Sequence, residues 1–312
     1  MFRTASLLSL LALPAFAEPP KVVADIAPVH ALVAQVMEGV GEPDLLLDQD
    51  ANPHAAQLRP SQARMLAEAD LVIWVGPELS PWLEHTIDGL GTADSLVLME
   101  SPATTLRDFA APAEEDDHDH GEDHDDHADD DHAEDDHDHG DKDPHLWLSV
   151  DNARAWLGLF ADELATRDPD NADTYRANAL KAQAGIDGLA AGIEATLAPH
   201  AGAEIVTFHA AFGYFADRFP VTVVGSVRPG DAASPSAAAL AALRDLVAEH
   251  DIACAFAEPA FDPGLIDAIA GDTGLRIGVL DPTGALQEPG PGHYAATLQT
   301  IADGIVECIE RE

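Results

Sequence analysis

Positive charge is scarce in this chain: 15 lysines and arginines stand against 57 aspartates and glutamates, a formal net charge of -42 at pH 7 over 312 residues. A surface so acidic is repelled by phosphate, which excludes nucleic acid and sets aside an anionic membrane as partner. Cysteine is rarer still, with only Cys254 and Cys308. No CxxC knuckle, no HExxH helix and no Gly-x-Ser-x-Gly elbow occurs, which removes the usual signatures of zinc fingers, zinc peptidases and serine hydrolases. Nor does any apolar run approach the ~20 residues that a membrane-spanning helix needs.

At the N-terminus, Arg3, an apolar run over residues 5–13 and Ala15-Phe16-Ala17 read as a secretory signal peptide, residues 1–17, cleaved before Glu18. No cysteine follows the cleavage site to carry a lipid, so a soluble periplasmic protein is expected. In that oxidising compartment Cys254 and Cys308 are expected to pair; service as zinc ligands is the competing reading.

The negative charge is concentrated between Glu114 and Asp143, where the chain reads EEDDHDHGEDHDDHADDDHAEDDHDHGDKD. These 30 residues hold 18 carboxylates and seven histidines, and no apolar side chain larger than alanine. Such a segment cannot build a core and is expected to be disordered over 114–142. Its carboxylate oxygens and imidazole nitrogens are ligands that borderline divalent ions accept. His118, His120, His124, His127, His132, His137 and His139 are spaced irregularly, which favours several weak, overlapping sites over one strong site. The plain alternative is a solubilising insertion, since acidic runs are commonly no more than that.

Elsewhere short apolar runs alternate with helical patterns. Strands are expected at 22–26, 45–47, 71–75 and 96–99, with helices at 29–38, 61–68 and 81–87 between them. The rhythm returns with strands at 205–208, 221–224, 253–257 and 277–280, and helices from Ala210, Pro235, Pro263 and about His293; Ser234 before Pro235 is a favourable N-cap. Between the two halves Tyr175, Ala179, Ala182, Ile186, Leu189 and Ile193 recur at four and three, one face of a helix ~40 Å long, although Gly185, Gly188 and Gly192 weaken it. The expectation is an α/β protein of two lobes, each a mainly parallel sheet flanked by helices. The N-terminal lobe takes residues 18–167, a linker helix 168–198 and the C-terminal lobe 199–312.

Four residues outside the acidic segment stand out: His54 in Asn52-Pro53-His54, His145 in Asp143-Pro144-His145, His209 in Phe208-His209-Ala210, and Asp281 in Leu280-Asp281-Pro282. His54 lies just beyond an expected strand, His209 and Asp281 close theirs, and ligands of open α/β sheets gather at the carboxyl ends of strands. Singly, each has an ordinary explanation. A histidine in a polar loop is commonly solvated, a strand-end histidine can be bonded to backbone, and an aspartate before proline can cap a turn.

Five segments, GPELSPWL, DPHLWLSVDNA, FHAAFGYF, FAEPAFDPGLID and LDPTGAL, resemble in order the signatures of periplasmic metal-binding proteins of ABC importers, the cluster A-I (cluster 9) family, and specifically its zinc-uptake branch. The resemblance implies two lobes joined by a long rigid helix, with Zn(II) in the cleft between them. His54, His145 and His209 match the three metal histidines and Asp281 the carboxylate of the second lobe; Glu258 is characteristic of the family and would be an orienting acceptor rather than a ligand. The manganese branch usually has glutamate where His209 stands, and three imidazoles with one carboxylate suit Zn²⁺ better than Mn²⁺. Some zinc-branch members carry a glutamate just before the first histidine; here Pro53 stands there, which leaves Asp281 or water in the fourth position, with Asp281 favoured. The two cysteines match the disulfide of the zinc branch.

The function implied is capture of Zn²⁺ by a monomer in the periplasm, without catalysis, and delivery to the membrane permease of an ABC importer, with a periplasmic zinc chaperone as a further partner. A zinc buffer or chaperone without a transporter, or a zinc hydrolase, are the alternatives. Deleting residues 114–142 is expected to abolish weak zinc binding in a titration and to leave one tight site per chain; loss of the tight site would overturn that division of labour.

Overall fold

The computed structural model describes residues 18–90, 94–109, 142–228, 235–262, 264–271 and 274–311. The expected signal peptide and the histidine-rich segment, apart from Lys142, lie outside the described residues. At the root of that segment Asp108 and Lys142 form an isolated antiparallel bridge and an ion pair.

The first half winds β1 (Val22–Ala24), α1 (Ala27–Val36), β2 (Asp44–Leu45), α2 (Pro60–Glu68), β3 (Leu71–Trp74), α3 (Pro81–Leu90) and β4 (Asp94–Val97) into a parallel sheet of order β2-β1-β3-β4. After it come α4 (Val150–Arg167) and α5 (Ala172–Leu197). The second half repeats the plan with β5 (Ala203–His209), α6 (Gly213–Arg218), β6 (Val221–Arg228), α7 (Ala237–Glu249), β7 (Cys254–Ala257), α8 (Gly264–Ala270) and β8 (Arg276–Val279), ordered β6-β5-β7-β8 and again parallel. The final helix, α9 (His293–Glu310), packs on α5, α1 and β8. Strands β1, β3 and β7 are buried along their whole length, as strands covered on both faces must be.

The expected α/β architecture is present, with differences in detail. The long helix runs 26 residues without a break, ~39 Å at 1.5 Å per residue. Its glycines do not interrupt it because packing against α4, α9 and α1 outweighs ~1 kcal/mol of propensity at each. Helix α7 begins at Ala237 with Ser236 as cap, its side chain accepting from the Ala239 N–H, so the serine after Pro235 serves rather than the one before it. The helix after His209 starts at Gly213 instead of Ala210, a tight turn from His209 to Ala211 coming first. Helix α4 has no counterpart among the expected elements, although Ala153, Trp156, Leu157, Phe160, Ala161 and Leu164 bury one helical face.

One continuous core joins the two halves. It passes from Ala24 and Ile73 under the first sheet, through Trp147, Trp156, Phe160 and Tyr175 in the helical layer, to Ile205, Phe215, Tyr294 and Leu298 under the second. Smaller clusters cover the outer face of each sheet. The halves are therefore held by a shared layer of α1, α4, α5 and α9, which is stiffer than a single connecting helix.

Cys254 on β7 and Cys308 on α9 form a disulfide, with their Cα atoms 6.2 Å apart. It closes a 54-residue loop that contains β8, and the chain-entropy model puts its stabilisation at up to ~4 kcal/mol. Cys254→Ser/Cys308→Ser is expected to melt well below the parent under non-reducing conditions. An unchanged melting temperature would mean that packing on α5, α1 and β8 secures α9 without the disulfide.

Candidate metal centre

In each sheet the chain moves outward on one side of the first strand and then restarts on the other, which creates a crevice between β1 and β3 and another between β5 and β7. Both crevices open at the strands' carboxyl ends. His209 is the last residue of β5 and Glu258 follows β7, so neighbouring strands bring them together. The Glu258 Oε1 accepts from the His209 backbone N–H at 3.1 Å and lies 2.6 Å from its Nδ1.

His145 is held by the same device from a different source. Asp143, wholly buried, accepts through Oδ1 from the His145 N–H at 3.0 Å and meets its Nδ1 at 2.8 Å. An ionised carboxylate only accepts, so both rings donate Nδ1–H and turn an Nε2 lone pair inward. Those two Nε2 atoms are 3.0 Å apart. A shared proton satisfies that separation in the metal-free chain, and it is close to the spacing of two nitrogens in one tetrahedral Zn²⁺ shell, about 3.3–3.4 Å given Zn–N bonds of 2.0–2.1 Å.

His54 completes the triangle. It sits on a 3₁₀ turn, Pro53–Ala55, whose Asn52 side chain accepts from the His54 N–H. The Pro53 carbonyl accepts from Ser80 Oγ and Trp82 Nε1, which gives the GPELSPWL segment its part: it fixes the turn that presents His54. The three rings lie 4.9 to 6.1 Å apart by centroid, and one potential ligand atom from each falls within 4.8 Å of the others.

Asp281 lines the same cavity, of about 260 Å³, but is not part of that cluster. Its Oδ1 accepts from Thr283 N, Thr283 Oγ1 and Gly284 N, and its Oδ2 only from Leu286 N at 3.3 Å. Gly284 permits this turn: its φ is +71°, and a Cβ there would lie 2.1 Å from Thr297 Oγ1. One oxygen thus belongs to the turn while Oδ2 keeps lone-pair capacity.

Several contributors were not foreseen from sequence. Trp147, 5.4 Å from the His145 ring, donates its indole N–H to the Pro282 carbonyl, and Tyr294 OH donates to the Trp147 carbonyl, so LDPTGAL and DPHLW are tied together. Asp143 was visible in the DPH tripeptide as an aspartate two before a histidine. Its partner Arg107, whose Nη1 donates to Asp143 Oδ2 at 3.0 Å, carries no such local signal. Nor does Arg228, the strand partner of His209, whose guanidinium lies over Phe261.

Nearly the whole chain is similar to known proteins. The family model described as "Zinc-uptake complex component A periplasmic" matches residues 22–308. The high-affinity zinc uptake system protein ZnuA of Paracoccus denitrificans (strain Pd 1222) is 44% identical over 324 residues, covering 98% of this chain and 96% of that protein. The protein of that name from Brucella suis biovar 1 is 32% identical over 306 residues, covering 93% and 92%. Among solved structures, a zinc-bound deletion mutant of ZnuA superposes with a TM-score of 0.75 at 22% identity, over 94% of this chain and 99% of that one. The Pseudomonas aeruginosa protein FpvC in complex with Mn²⁺ gives 0.72 at 19%, over 94% and 98%. At such identities these two likenesses concern the fold.

Burial, with His145, His209 and Arg228 nearby, pushes the His54 imidazole from 6.5 down to about 2, so it remains neutral in the folded chain. Below pH 6.5 the unfolded state binds a proton that the folded state refuses, and stability falls as pH drops through 6.5 toward 2. Metal-free His54→Asn lacks that difference, and between about pH 7.5 and about pH 5 its melting temperature is expected to fall less than the parent's. Equal falls would remove His54 as a source of acid sensitivity.

Proposed function

The chain belongs to the periplasmic zinc-uptake complex component A family, and on that basis we propose that it captures Zn²⁺ in the periplasm and hands it to the membrane permease of an ABC importer. The observation that carries the reading is the meeting of three imidazoles with two of them oriented by buried carboxylates. His54, His145 and His209 bind the ion through ring nitrogens, and Asp281 completes the shell through Oδ2, the oxygen less engaged by its turn. Four protein ligands leave no position for an attacking water, which suits cargo rather than catalysis. The protein turns nothing over.

Residues 1–17 serve as the cleaved signal, without a lipid anchor, and the mature chain works as a monomer. No described helix is long and apolar enough to cross a membrane. Residues 18–167 and 199–312 act as the two lobes about the 168–198 linker, with α9 packed back onto the first-half helix α1. His118, His120, His124, His127, His132, His137 and His139 collect zinc weakly beside His145 or report its abundance, and a zinc chaperone could load them.

Competition titration with chelators tests the site. His54→Ala/His209→Ala is expected to weaken the tight site by roughly 100-fold or more, and Asp281→Asn by about 10-fold. An intact tight site in the double variant refutes the ligand set; wild-type affinity in Asp281→Asn assigns the fourth position to water.

A further inference from the structure

Asp143 uses one oxygen to hold His145 and gives the other to Arg107, whose Nη1 donates to Oδ2 at 3.0 Å. The same guanidinium reaches into the second half, where Nε donates to Asp217 Oδ2 on α6 at 2.9 Å. Its backbone is tied to the same place. Arg107 N–H donates to Tyr214 OH, Tyr214 OH donates to the Asp143 carbonyl, and Asp143 N–H donates to the Arg107 carbonyl. Every polar group of Arg107's main chain and two nitrogens of its side chain thus converge on Asp143 and α6.

The fit against α6 is close. A Cβ added to Gly213 would fall 1.7 Å from Arg107 Nη1, so the guanidinium lies directly on the Gly213 backbone. Gly213 begins α6 four residues after His209. Arg107 therefore joins the turn that carries His209 to the loop that carries His145, and their Nε2 atoms meet 3.0 Å apart. Asp217 is largely exposed, so its ion pair contributes little energy by itself. What the planar fork supplies is geometry, since a single guanidinium can address two carboxylates at fixed angles.

We infer that Arg107 is a positioning residue of the metal centre: by bridging Asp143 and Asp217 it sets the pose of the carboxylate that orients His145 and registers that ring against His209. The inference rests on the zinc-binding reading above. It makes Arg107, which touches no metal ligand itself, a determinant of affinity and of coordination geometry. Its place beside Asp108 and Lys142 puts that determinant at the root of the histidine-rich segment.

The test uses the full-length mature chain, measuring Zn²⁺ affinity by chelator competition and the visible spectrum of the Co²⁺-loaded protein. Arg107→Met is expected to weaken Zn²⁺ binding about 10-fold and to alter the Co²⁺ bands, while Arg107→Lys, which keeps the charge without the fork, recovers only part of both. Asp217→Asn and Gly213→Ala should shift both readouts in the same direction by smaller amounts, and they carry the test if Arg107→Met does not fold. In an Asp143→Asn background Arg107→Met should add nothing, because the effect passes through that carboxylate. Folded Arg107→Met with affinity and Co²⁺ spectrum within twofold of the parent overturns the inference, as do fully additive losses with Asp143→Asn. Neither result touches the function proposed above, which fails only if the parent binds no tight zinc or the His54/His209 double variant keeps it.

Discussion

An imidazole offers Nε2 to a metal only while its proton stays on Nδ1, and at His145 and His209 a buried carboxylate keeps it there. The rest of the structure can be understood as the means of delivering those two carboxylates. Glu258 arrives from the strand beside His209, a consequence of parallel β5–β7 pairing. Asp143 arrives two residues before its histidine and is secured from 36 residues upstream by Arg107. Burying two anions is costly unless each has donors, and each has them: a backbone N–H and a ring N–H on both, with a guanidinium added at Asp143.

The site lies where two sheets of like topology face each other, yet the halves do not meet only there. A common hydrophobic layer of four helices runs beneath both, and Trp147 joins it to the cavity wall through bonds to Pro282 and Tyr294. A centre whose histidines come from different halves needs such a layer. Two nitrogens at 3.0 Å tolerate little drift between the elements that carry them.

Much of this was legible from sequence. Alternating apolar runs and helical periods placed the strands and most helices to within a few residues but missed α4, and the family resemblance pointed to His54, His145 and His209. Helix ends were less legible at Ala210 and Pro235, where competing turn and cap residues stand side by side. Asp281 illustrates a different limit. Its two oxygens have unlike partners, three donors on one and one on the other, and no linear pattern distinguishes them.

By itself the sequence determined the class of the fold and the chemistry on offer, because strand and helix periodicity and the supply of imidazole and carboxylate are local properties of the chain. The role of Asp143 was not read there, although an aspartate two before a histidine is a local pair. Only the tertiary structure decided which groups aim at one another: Glu258 at His209 across 49 residues, Arg107 at Asp143 across 36, and Trp147 at Pro282 across 135. Those pairings follow from strand order and from a core shared between the two halves, which no window along the chain contains.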